Sequence, residues 1–172
     1  HEAPVSEESF LSVLRHLHFF TECFSVLFVR FLNGEESAET IGQRLNAATA
    51  ALFSSCTCCS FGVSETVYGV FLTSLYPIDL PAAAKELIRQ LQIKASLDVS
   101  IAIGTGCRSF RQLGETFRSA REGLHHMHLY NAREIILPAA ADPGRKPSSG
   151  VSLPAGITGD IIDSIYSHSR TD

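Results

Sequence analysis

Apolar positions along the chain change period several times, and each change marks an element. Phe10, Val13, Leu14 and Leu17 recur at helical spacing behind Ser6, an N-cap residue type, while Glu7, Glu8 and Arg15 fall elsewhere on the wheel, so an amphipathic helix is predicted. Over 24–32 the run FSVLFVRFL is apolar on both alternations apart from Ser25 and Arg30, the pattern of a central strand covered on both faces. Asn33 and Gly34 turn the chain, and Ile41, Leu45, Ala48 and Leu52 mark one face of a helix ending near Phe53. Two β-rich runs, 56–63 and 67–74, are separated only by Ser64, Glu65 and Thr66 and predict an antiparallel hairpin. Asp79 and Pro81 open a helix with Ala84, Leu87, Ile88, Leu91 and Ala95 on its apolar face.

Val99, Ile101 and Ile103 then alternate with Asp98, Ser100 and Ala102 as a strand that Gly104 and Gly106 end. Ser109 and Gln112 have capping-box spacing, and Phe110, Leu113, Phe117, Ala120, Leu124 and Met127 continue a helical stripe. Asn131 can stop that helix, and 133–137 reads as a further strand before Pro138. Residues 139–156 are rich in Ala, Pro, Gly and Ser and read as a loop or linker. Ile161, Ile162, Ile165 and Tyr166 mark a C-terminal helix within 157–172, the expected start of a connection to a downstream domain.

After a connecting helix in 1–23, the order over 24–138 is strand, helix, hairpin, helix, strand, helix, strand. That order is the split βαβ plan with an added helix and strand, and predicts an α/β (α+β) domain: a ferredoxin-like, mixed but mostly antiparallel sheet with covering helices. A length of 172 residues suits one domain with short appendages.

Composition excludes some functions. The net charge is −4 and the 14 Lys and Arg are scattered, so the segment lacks the footprint of a protein holding a phosphate backbone itself. No apolar run approaches the roughly 20 residues of a membrane helix, and no membrane contact is expected. Five cysteines, without framework spacing, suit reduced thiols and a cytoplasmic location. The chain begins at His1, as a piece of a longer polypeptide would.

The segment SIAIGTG, the helix carrying FRSAREGLHHMHLYN and the following REIIL resemble the end of the GGDEF superfamily, whose fold is that of nucleotide cyclases. Ser100, Ile101, Ile103 and Gly104 match that pattern, and Ala120, Arg121, Tyr130 and Asn131 match by residue type. The resemblance is nearer to the degenerate GGDEF-like domains of bacterial transcription regulators, of the AraC-family response-regulator and CdaR/PucR types. It implies a regulatory domain linking an input domain to a DNA-binding domain, with the neighbouring domains and a second copy as partners and DNA contacted only by a separate domain.

In active members of the superfamily, aspartates of the first strand bind divalent metal and the hairpin turn carries Gly-Gly-Asp/Glu-Glu-Phe, because phosphoryl transfer needs hard oxygen ligands and close backbone. Here the first strand offers Arg30 and Asn33, and the hairpin offers Ser64 and a single acid, Glu65. No catalytic residue, metal or cofactor is expected, and Arg30, Asn33, Ser64 and Glu65 are the candidate site for a small anionic ligand. A divergent cyclase working through Glu65 and a purely structural dimerisation spacer stand as alternatives.

Cys56, Cys58 and Cys59 with His125, His126 and His128 are zinc-ligand types, but alternation puts Cys59 on the opposite sheet face, which favours core cysteines. No feature places a His beside a thiol as a nucleophilic pair would require. Gly104, Thr105 and Gly106 with Arg108 could cradle a phosphate, or simply turn the chain from strand to helix.

Overall fold

A computed structural model describes residues 6–33, 36–127 and 135–137. In chain order the elements are α1 (Glu7–His16), β1 (Cys23–Phe31), α2 (Ala38–Leu52), β2 (Thr57–Gly62), β3 (Val67–Ser74), α3 (Leu80–Ala95), β4 (Val99–Ile103), α4 (Phe110–Met127) and β5 (Ile135–Ile136). The predicted helix stop at Asn131, the linker 139–156, the helix in 157–172, and Gly34, His128 and Tyr130 lie outside the described residues.

The sheet runs β2-β3-β1-β4-β5, with β1 antiparallel to both β3 and β4 and β5 parallel to β4. The continuous apolar run of β1 is explained by two cores. Leu27, Val29 and Phe31 pack with Ile41 and Leu45 of α2 and Leu87 and Leu91 of α3. Phe24, Val26 and Phe28 point the other way, onto Phe10 and Leu14 of α1 and Phe117 and Ala120 of α4. A strand sandwiched between two helical layers has no wet face, so its sequence shows no alternation.

The caps follow the sequence in part. Ser6 accepts from Ser9 N–H at 3.2 Å, and Asp79 accepts from Ala82 N–H at 3.1 Å. At α4 the pattern departs from a capping box: Ser109 Oγ accepts from Arg111 N–H at 3.2 Å, and Gln112 N–H donates to the Ser109 carbonyl at 3.0 Å. Helix α4 sits unusually close to β4. A Cβ on Gly104 would stand 2.5 Å from the Thr116 carbonyl, and one on Gly123 would stand 2.9 Å from Ala102 Cβ. Glycine at these two places lets helix and strand backbones approach.

Candidate functional site

The C-terminal end of β1 gathers the polar residues singled out in the sequence. The hairpin tip is stitched to it, since Phe31 N–H donates to the Thr66 carbonyl at 2.8 Å and Arg30 lies opposite Val67 in the register. Arg30 falls on the α4 side of β1, half-buried, and its guanidinium donates to the Met127 carbonyl at 3.2 Å. That carbonyl belongs to the last turn of α4, where the helix dipole is negative and a cation is favoured.

Asn33 faces the start of β4: its Oδ1 accepts from Asp98 N–H at 2.7 Å, and its Nδ2 donates to the Ser96 carbonyl and to Asp98 Oδ2, each at 3.4 Å. Ser64 and Glu65 stand exposed on the tip. The fold thus brings all four residues to one end of the sheet, with Arg30 and Asn33 engaged in holding the framework and Ser64 and Glu65 turned to solvent.

Two residues at this end were missed by reading the sequence alone. Asp98 supplies a second carboxylate beside Asn33, and Arg44 of α2 donates to the Ala95 carbonyl at the end of α3 at 3.0 Å while pairing with Glu36 at 2.8 Å. Asp98 directly precedes the strand that pairs with β1, and that adjacency was the available signal.

Among solved structures, the active GGEEF domain of a diguanylate cyclase from Vibrio cholerae is similar to this chain, with a TM-score of 0.58 and 7% sequence identity over 77% of this chain and 92% of that one. The fold is GGDEF-like. No family model matches the sequence, and no curated protein matches it. At this identity the likeness speaks for architecture, because one fold hosts many functions. Within a GGDEF-like fold, the end of β1 and the β2–β3 tip are where the resemblance expects metal and phosphate ligands, and here they hold Arg30, Asn33, Ser64 and Glu65.

The cysteines divide as alternation predicts. Cys59 is buried in the layer beneath α1 and α4, whereas Cys56 and Cys58 pack against the layer of α2 and α3. Burial pushes the Cys59 thiol up to about 12, with neighbouring Cys58 adding to the shift, so it is held in the protonated form that metals bind poorly. His125 and His126 are exposed on α4. Among the described residues no group of three His, Cys, Asp or Glu side chains stands where one metal ion would join them, and no helix is long and apolar enough to cross a membrane.

The Gly104-Thr105-Gly106 turn has already committed most of its amides. Gly104 N–H donates to the Val26 carbonyl at 2.9 Å, Thr105 N–H to Ser119 Oγ at 2.8 Å, and Cys107 N–H to the Phe24 carbonyl at 3.0 Å. These bonds lace the turn to β1 and α4 and leave little for a phosphate.

Proposed function

We propose that this is a non-catalytic regulatory domain of a bacterial transcriptional regulator, linking an input domain to a DNA-binding domain in the cytoplasm. The observation that carries the reading is Arg30. Where the resemblance calls for a metal-binding aspartate near the end of the first strand, β1 presents a guanidinium bonded to the end of α4. A cation there repels a divalent metal, and the exposed tip adds one carboxylate, Glu65.

The same contact suggests how a signal would travel. A small anion drawn to Arg30, Asn33, Ser64 and Glu65 would compete for the guanidinium and loosen its hold on Met127. That would change how the C-terminal part of the chain, or a homodimer contact, presents the attached DNA-binding domain. DNA would be touched only by that separate domain.

The test is incubation with Mg²⁺ or Mn²⁺ and each nucleoside triphosphate, followed by pyrophosphate. No release above the blank is expected; release that disappears in Glu65→Gln overturns the reading. A divergent cyclase is the second reading, supported by the solved neighbour being an active diguanylate cyclase domain and by Asp98 lying beside Asn33. A plain spacer would show no ligand-induced rise in melting temperature across nucleotides and metabolites, whereas a sensor must show one.

A further inference from the structure

At the opposite end of β1, a cavity of about 320 Å³ opens between the start of the strand, the segment leading into α3 and the turn after β4. Its size falls in the range of small-molecule sites. Ile78, Leu80 and Ile103, which share the α3 face of the sheet, give it apolar walls.

Several polar features set it apart from a packing void. Ser25 lines the cavity at 5% exposure, and its hydroxyl has no hydrogen-bond partner among the described residues. Its Oγ stands 3.7 Å from the place a Cβ on Gly106 would take, beside the open space, where a ligand could meet it. Arg108 lines the mouth, exposed, with no ion pair or hydrogen bond among the described residues. Helix α3 begins at the cavity, where Leu80 and Pro81 line it, so its positive dipole end lies near the mouth. Among the described residues no acid lines the cavity, and the adjacent Asp79 is occupied in capping α3.

We propose that this cavity binds a small, mainly apolar monocarboxylate, its body held between Ile78, Leu80 and Ile103 with one hydrogen bond to Ser25, and its charge drawn by Arg108. The committed amides of the Gly-Thr-Gly turn argue against a phosphate, and the apolar walls argue for a hydrocarbon or aromatic body. The inference goes beyond the regulatory reading and stands independently of nucleotide turnover.

The experiment is a titration followed by amide chemical shifts, with benzoate, 4-hydroxybenzoate and hexanoate as probes, benzamide and hexanol as neutral counterparts, and inorganic phosphate. The carboxylates are expected to shift amides of residues 23–25, 78–80 and 103–108 saturably, binding about two- to fivefold more tightly than their neutral counterparts, the range an exposed cation supplies. Arg108→Gln should remove that preference and leave the neutral compounds unchanged. Gly106→Leu, which fills the space beside Ser25, should abolish binding while the rest of the spectrum stays folded. Absence of shifts at these amides at roughly 10 mM probe, shifts confined to the Arg30–Glu65 end, equal binding of acid and amide, tighter binding of phosphate, or retained binding in Gly106→Leu would each overturn the proposal.

Discussion

The two ends of β1, about 26 Å apart at about 3.3 Å per residue, treat polar groups in opposite ways. At the C-terminal end, Arg30 and Arg44 donate to the last carbonyls of α4 and α3, and Asn33 bridges to Ser96 and Asp98. Charge and hydrogen-bonding capacity there are used in closing helix ends. At the N-terminal end the same helices begin, a cavity opens between the strand start, the lead into α3 and the turn after β4, and Ser25 and Arg108 have no protein partner among the described residues. Polar groups without a protein partner beside open space are where a ligand is most naturally accommodated, so the end that looks chemically rich in sequence is the one the framework uses most.

The largest expected effect tests whether the cavity end is firmly built. Gly104 and Gly106 flank one threonine, yet their surroundings differ: a Cβ at Gly104 would stand 2.5 Å from the Thr116 carbonyl, whereas at Gly106 it would meet nothing nearer than 3.7 Å. Gly104→Ala should cost about 1–3 kcal/mol by forcing α4 off β4, and Gly106→Ala should stay within about 0.5 kcal/mol. Urea unfolding of the two variants measures the difference. Equal, small costs would mean that α4 yields easily and that the cavity is loose packing.

A smaller effect contrasts the two ends directly. Arg30→Gln and Asn33→Ala should each lower stability by about 1 kcal/mol, since each removes bonds that hold helix and strand ends. Ser25→Ala removes an unpaired hydroxyl and should be neutral or slightly stabilising, within about 1 kcal/mol. The comparison breaks if Ser25→Ala costs as much as Asn33→Ala when both are measured by denaturant midpoint.

Much of the architecture was legible in the sequence because its signals were local. The unbroken apolar run of β1 announced a strand with two covered faces, Ser6 and Asp79 announced helix starts, and the three residues between the hairpin runs fixed which strands pair. The polar end was legible only as a grouping. That Arg30 reaches Met127, 97 positions further on, and that Asn33 reaches Asp98, 65 positions on, depends on how strands of distant sequence come together. The cavity was less visible still. Ser25 read as one polar interruption in an apolar strand, and the Gly-Thr-Gly turn read equally well as a phosphate cradle, because the hydrogen bonds that commit its amides come from β1 and α4.

The smallest expected effect concerns the thiols, which separate the closed core from the open end. Burial raises both Cys59 and Cys107 above their ordinary value of 9.0, Cys59 to about 12. Cys107, half-buried at the cavity, is partly offset by hydrogen bonds from Thr116 and the Ser109 backbone, which favour its thiolate. Below about pH 9 these thiols are protonated in both the folded and the unfolded chain, so they give stability no pH dependence. Above it the unfolded chain releases the Cys59 proton while the folded protein keeps it towards pH 12, so the unfolded state binds fewer protons and stability falls as pH rises through this window. Urea midpoints at about pH 8 and pH 10 should therefore decline in the native protein. Cys59→Ala should flatten the decline, and Cys107→Ala should change it less. A larger flattening from Cys107→Ala would place the more deeply desolvated thiol at the cavity end and reverse the contrast between a sealed core and an open strand start.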